Sequence, residues 1–338
     1  MKKLLAFAVF CLSLSLVAAP VSAAGVNTGP FSADSILADP LEQGGLVLSG
    51  QLEIYTANQA IINDGDGNPE WDALKDAGIE SFVLTVIPVR LAYGITDDIS
   101  VRVTIPYVSQ TLMFTESMSG PYDEWDAAGG GNFGDIRIEA LYEVVKEGES
   151  MPSIGANLGV KLATGPYDRD YFGMKEPMLG TGSTDYSLTG VVKKQIGPVI
   201  GKALLSYVIT GPTNYTPIGA GILVVADPAE KFVYSITAAY PVSPLLEVGG
   251  EIWGVIGDLQ TYRVDGMPSG TWVSTRDDTA INEIILSPYV VYSVMDDFTV
   301  RGAIEIPLTQ QPTFNLSDSR LHTFNGNTVT VGGSWRIM

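Results

Sequence analysis

The stretch ISVRVTIPY (99–107) alternates strictly: Ile99, Val101, Val103, Ile105 and Tyr107 fall on one face, Ser100, Arg102 and Thr104 on the other. DIRIEALYEV (135–144) repeats the pattern, with Ile136, Ile138, Ala140, Tyr142 and Val144 facing one way and Asp135, Arg137, Glu139 and Glu143 the other. Successive side chains of a strand point to opposite faces, so a period of two over about ten residues reads as a strand with one apolar and one charged side. Such a strand serves a soluble sandwich with its apolar face inward, or a membrane barrel with its apolar face toward lipid and its charges in the lumen. Alternation alone does not separate the two. The connections do.

Strands of this kind are predicted at 46–57, 80–93, 99–110, 134–145, 152–163, 183–194, 199–210, 231–241, 245–256, 281–293, 298–308 and 328–337. Short turns fall at 94–98, 146–151, 195–198, 242–244 and 294–297, and long connections at 58–79, 111–133, 164–182, 211–230, 257–280 and 309–327. Strict alternation of short and long is the habit of outer-membrane barrels, with tight periplasmic turns and longer outer loops. Tyr93, Tyr142, Tyr240, Tyr292 and Trp335 lie near the short-turn ends, where an interfacial aromatic girdle belongs. The expected fold is therefore all-β: a transmembrane antiparallel up-and-down β-barrel of about twelve strands. The apolar GAGILVVA (219–226) either extends a hairpin above the membrane or raises the count to fourteen.

Composition agrees with a membrane protein. Apolar residues make up 46% of the chain and charged residues 17%, with a mean hydropathy of +0.20. The one long apolar run, Leu4 to Ala19, follows Met1-Lys2-Lys3 and precedes the small residues Val21-Ser22-Ala23, the order of an export leader cleaved after Ala23. No second run of 18 apolar residues occurs, so a spanning region must be built from strands that pair every backbone group. Phe10 precedes Cys11 where a lipoprotein needs a small residue, and the leader carries away the sole cysteine, leaving no disulfide. Losing Lys2 and Lys3 takes the formal charge from −19 to −21, which excludes nucleic-acid binding through a basic surface. The organisation expected is a signal peptide at 1–23, an N-terminal extension or lumen plug at 24–44, with Ser32 as a candidate helix N-cap, and the barrel at 45–338.

Four segments carry a family resemblance. GGNFGDIRIEALYEV (130–144) looks like a glycine-flanked strand start, SIGANLGVKLATGP (153–166) like a lysine-bearing strand ending in a Thr-Gly corner, LGTGSTDYSLTGVV (179–192) like a GTGS-D strand start, and VTVGGSWRI (329–337) like a terminal strand. In that order they resemble a family of outer-membrane proteins named for the MetA pathway of phenol degradation. The resemblance covers about 80–338 and implies a 12-stranded barrel that passes small organic molecules, often aromatic or otherwise hydrophobic, with no catalytic residues. One departure is the ending: Met338 follows Ile337, where such barrels close on an aromatic residue.

Placing the apolar face toward lipid puts Arg90, Arg102, Arg137, Lys161, Lys193, Lys202, Arg301 and Arg336 in the lumen, with Asp135, Glu139, Glu143, Asp185, Glu247, Glu251 and Glu305. The lumen then nears neutrality and the negative excess belongs to the outer loops. Opposed charges on neighbouring strands form cross-strand ion pairs. These either narrow the pore into a selectivity constriction, with Arg102, Arg137, Glu139, Arg301 and Glu305 at its centre, or simply brace a closed wall. The function expected is passive passage of a small organic solute. Its alternatives are a plugged structural or binding barrel and a surface hydrolase built on His322, the only histidine, near Asp318 and Ser319. Asp64, Asp66, Asn68 and Glu70 have the alternate spacing of a cation loop, but Pro69 stands where the turn glycine belongs and Lys75 where the closing acid belongs. No cofactor is expected. The partners expected are outer-membrane lipid and lipopolysaccharide, a small organic solute, and the assembly machinery that inserts such barrels.

Overall fold

The computed structural model describes residues 40–62, 70–73, 79–114, 127–165, 180–215, 224–227, 230–257, 261–264, 273–274, 281–310 and 324–338. Its strands, in chain order, are β1 (Leu46–Ile62), β2 (Glu70–Ala73), β3 (Ile79–Gly94), β4 (Ile99–Phe114), β5 (Ala127–Phe133), β6 (Ile136–Val145), β7 (Ser153–Leu162), β8 (Asp185–Ile196) and β9 (Val199–Ile209). They continue with β10 (Thr213–Tyr215), β11 (Val224–Asp227), β12 (Lys231–Ser243), β13 (Leu246–Gly257), β14 (Thr261–Val264), β15 (Val273–Ser274), β16 (Ile281–Met295), β17 (Phe298–Gln310) and β18 (Phe324–Arg336). Among the described residues there is no helix.

Twelve of these strands, β1, β3, β4, β6, β7, β8, β9, β12, β13, β16, β17 and β18, pair antiparallel in sequence order, and β18 pairs back with β1 to close the barrel. The seam runs from Val47 opposite Arg336 to Ala60 opposite Phe324. At its base the Ile337 N–H donates to the Leu46 carbonyl at 2.8 Å, so the last strand is tied to the first without an aromatic terminus. Closure leaves no open edge, which is what lipid demands of a backbone that water does not reach.

Outside the wall the side chains are apolar. On β12, Phe232, Ile236 and Tyr240 face out, and on β13 Val248, Ile252 and Ile256 do the same. Ile236 is 66% exposed while its neighbour Ser235 is 2% exposed, the contrast a lipid belt around a polar lumen produces. Tyr93, Tyr142, Tyr240 and Tyr292 are all exposed on this outer face near the short turns. Tyr186 and Phe232 are exposed at the opposite end. From Phe232 to Tyr240 the strand climbs about 20 Å along the membrane normal, given ~3.4 Å per residue and a tilt of about 40°, close to the ~25 Å apolar band of such barrels.

The short turns match their chemistry. Gly197, at φ 59°, precedes Pro198 in the β8–β9 hairpin, a first central position that only glycine occupies without strain. The Thr96 hydroxyl accepts from the Ile99 N–H at 3.0 Å between β3 and β4. The Ser243 hydroxyl accepts from the Leu246 N–H at 3.1 Å between β12 and β13.

The structure departs from the sequence reading on the outer side. β1 and β4 run on to Ile62 and Phe114, and β2 and β5 pair with their upper ends, so the connections at 58–79 and 111–133 begin later than expected. Above the lipid no face must be apolar, and the period-two signal fades while the strand continues. β5 and β6 are one strand that descends toward the short turns, interrupted at Gly134–Asp135. The described part of the apolar 219–226 segment, in β11, does not enter the wall: it joins β10, β14 and β15 in a separate four-stranded sheet. Twelve wall strands is therefore the count, and the outer hairpin is the reading that holds.

Candidate functional site

Cross-strand pairing stacks the lumen-facing residues into rows. One row runs Ser49, Arg90, Thr104, Arg137, Lys161, Asp185 across β1, β3, β4, β6, β7 and β8. The next row toward the short turns contains Arg102, Glu139, Gly159, Ser187, Val208 and Lys231. Arg90, Arg102, Arg137, Glu139 and Lys161 are all at most 9% exposed. These five are among the residues that the sequence reading expects in the lumen.

Their pairing is uneven. Arg102 donates from Nε to Glu139 Oε2 at 2.9 Å and bonds the same oxygen through a second nitrogen. Such a fork is a strong, directional contact. Asn157 donates to the other oxygen, Glu139 Oε1, at 3.3 Å. Lys161 is held by Asp185, by the Thr181 hydroxyl and, at 3.8 Å, by Asp135. Arg90 donates to Gln51 at 2.9 Å, but its carboxylate, Glu53, stands 3.8 Å away. Arg137 has Glu139 at 3.9 Å.

Asp135, 1% exposed, gathers the outer corner. Its Oδ1 accepts from the Thr164 and Gly165 N–H groups at 3.1 and 2.9 Å, and its Oδ2 from the Thr181 N–H and hydroxyl, both at 2.8 Å. Three glycine backbones meet here: a Cβ on Gly165 would sit 2.9 Å from Gly180 Cα and 3.0 Å from Gly134. The three quoted motifs at 130–144, 153–166 and 179–192 are therefore one latch in space. A second, similar latch follows, with Asp185 Oδ1 accepting from the Gly211 N–H at 3.1 Å in a second Thr-Gly-Pro corner, 210–212.

From β13 round to β1 the inward charges are acids: Glu247, Glu251, Glu283, Glu305 and Glu53, accompanied by Arg301. Glu251, 1% exposed, accepts from the Ser235 hydroxyl at 2.6 Å. The Arg301 guanidinium lies 4.1 Å over the Tyr289 ring, a cation–π contact. Between these charged regions the inward face is apolar in places. Phe82, Leu84, Val86 and Val108 line β3 and β4, and Val208, Val233, Trp253, Val255 and Ile285 form a cluster across β9, β12, β13 and β16.

Three lumen charges escaped the sequence reading: Glu53, Lys231 and Glu283. Lys231 opens β12 and Glu283 lies near the start of β16, both inside predicted strands and each alternating with an outward-facing neighbour. Arg336 keeps the phase of Ser334, which pairs with Ser49 of the lumen row, and lies exposed at the short-turn rim where β18 ends. Lys193, Lys202 and Glu143 are half-buried at the short-turn end, and Glu143 accepts from the Ser153 hydroxyl at 2.6 Å. The lumen charges oppose one another in close pairs at Arg102–Glu139 and Lys161–Asp185, and also by wall. Bases dominate from β3 to β12, and acids dominate from β13 to β1.

Asp64, Asp66, Asn68, Asp318, Ser319 and His322 lie outside the described residues, and Glu70 opens β2. Among the described residues no group of three or more His, Cys, Asp or Glu is placed to hold a metal ion.

The fold is shared with a solved outer-membrane channel. The structure of the COG4313 outer membrane channel from Pseudomonas putida F1 superposes with a TM-score of 0.64 at 13% identity, over 92% of this chain and 100% of that one. The Ralstonia pickettii toluene transporter TbuX overlaps less well, with a TM-score of 0.41 at 10% identity over 94% and 96% of the two chains. No protein-family model matches the sequence, and no curated protein matches it. The likeness therefore speaks to the barrel.

Proposed function

We propose that the chain is an outer-membrane channel for the passive passage of small organic solutes, reaching that membrane after its leader is cleaved. The observation that carries this reading is the lumen itself. A closed, lipid-belted barrel encloses charged rows beside apolar strips, so one passage offers both polar and apolar contacts to a solute. The resemblance to the phenol-degradation family narrows the solute toward aromatic or hydrophobic compounds. Short turns on one side and a small extra sheet on the other support an orientation with β10, β11, β14 and β15 outside the cell, toward lipopolysaccharide, and insertion by the assembly machinery. Liposome swelling with the purified protein tests it: uptake of small organic solutes above that of empty vesicles is expected, and vesicles that stay sealed to all of them refute passage.

A second reading has its own observation. The Leu41 N–H donates at 2.7 Å to the hydroxyl of Ser100, a lumen-facing residue with no exposure, and the Gln43 N–H to Asp97 at 2.9 Å. The chain entering β1 thus lies against the β3–β4 turn at the short-turn mouth of the barrel, beside a lumen-facing residue, which supports residues 24–44 as a plug. A variant lacking 24–39 that swells faster than the full chain would favour a plugged barrel at rest.

A further inference from the structure

Two of the buried guanidiniums lack a close acid. Arg102 and Lys161 are taken up by Glu139 and Asp185, whereas Arg90 and Arg137 meet their carboxylates only at 3.8 and 3.9 Å. They stand one on each side of Thr104 in a single cross-strand row on β3, β4 and β6. The Nε of Arg90, the Nε of Arg137 and the hydroxyl of Thr104 are all buried without a hydrogen-bond partner among the described residues. A buried donor left unmet is costly, and more so when it is charged. Three adjacent ones in one row are not an arrangement that folding alone favours.

We infer that this row is a binding site for the carboxylate of a small organic acid with an apolar body. The inference rests on the channel reading and gives its solute a chemical class. A carboxylate has two oxygens with lone pairs enough for several donors, and guanidinium groups match its geometry. The body of the acid has a place as well. Pro88 with Pro106, then Val86 with Val108, follow the basic row toward the outer end of β3 and β4, and Leu84 continues the strip. The acids that face the row are Glu53 and Glu139, with Asp185 at its far end. Glu139 and Asp185 are already engaged by Arg102 and Lys161.

Calorimetry on the full-length protein in detergent, with benzoate as the probe and benzyl alcohol as its neutral counterpart, tests the site. Saturable benzoate binding is expected, roughly tenfold or more tighter than that of benzyl alcohol. Arg137→Gln and, separately, Arg90→Gln should each weaken benzoate about tenfold, with Lys146→Gln at the exposed rim unchanged. Equal affinity for the two probes in the unmodified protein, or no benzoate heat at all, overturns the inference without any variant having to fold. Benzoate binding in a protein that passes no solute into liposomes keeps the site and removes the channel. Swelling without benzoate binding does the reverse.

Discussion

Asp135 shows how much one side chain organises. Its two oxygens receive four hydrogen bonds from two loop corners and lie near Lys161. Asp135→Ala strands those donors and the lysine, and is expected to cost roughly 3–5 kcal/mol, readable as a lower urea midpoint for the barrel in lipid vesicles. An unchanged midpoint would mean that the glycine contacts alone hold the corner. At the short-turn rim the charges are exposed and their effect is directional. The Gln195 N–H, donating to Glu147 at 2.7 Å, holds that carboxyl below its ordinary value of 4.5, with Lys194 adding to it. Its contribution is present above the unfolded value and is lost as pH falls through the folded one. The hydrogen bond from Lys146 to Asp98 raises the lysine above 10.5, so that contribution is present below the unfolded value and is lost as pH rises through the folded one. Glu147→Gln should therefore lower thermal stability slightly at pH 7 and make no difference at pH 2–3; an equal deficit at both pH values would contradict the assignment.

At the scale of elements, the wall was legible because lipid enforces the alternation. Where strands cross the membrane, as at 99–107, one face must be apolar, and all twelve wall strands could be placed from that rule alone. The rule falls silent where lipid ends, which is why the extensions of β1 and β4 and the pairing of β5 could not be read. It is also silent on depth. It gives Arg102 and Glu139 the same face but not the same row, and it offers no sign that Asp135 reaches Thr164 and Thr181 across loops. Glu53, Lys231 and Glu283 lie inside the predicted strands 46–57, 231–241 and 281–293, on the face opposite apolar neighbours, so the alternation does carry their signal. The period-two rule carries a quantitative consequence. Ile236→Lys, on the lipid face, should destabilise the barrel by roughly 2–4 kcal/mol if the site is near the midplane, measured by urea titration in vesicles. A cost under about 1 kcal/mol would move this position out of the lipid belt.

For the whole molecule, the charge pattern that composition gives as a net −19 becomes a divided lumen: bases on the walls from β3 to β12, acids from β13 to β1. A solute in transit meets both, with apolar strips between, and the acid-binding row sits on the basic side. All of this depends on the inward face being the path. Cys11 is the only native cysteine, so a Cys11→Ser chain bearing Ser187→Cys on the half-buried inner face of β8, or Leu188→Cys on its 56% exposed outer face, separates the two sides of the wall. The decisive measurement is single-channel current before and after a charged, membrane-impermeant thiol reagent. The account predicts that current through S187C falls on reaction while current through L188C is unaffected; a loss in L188C with S187C unchanged, or no current through either, would contradict it.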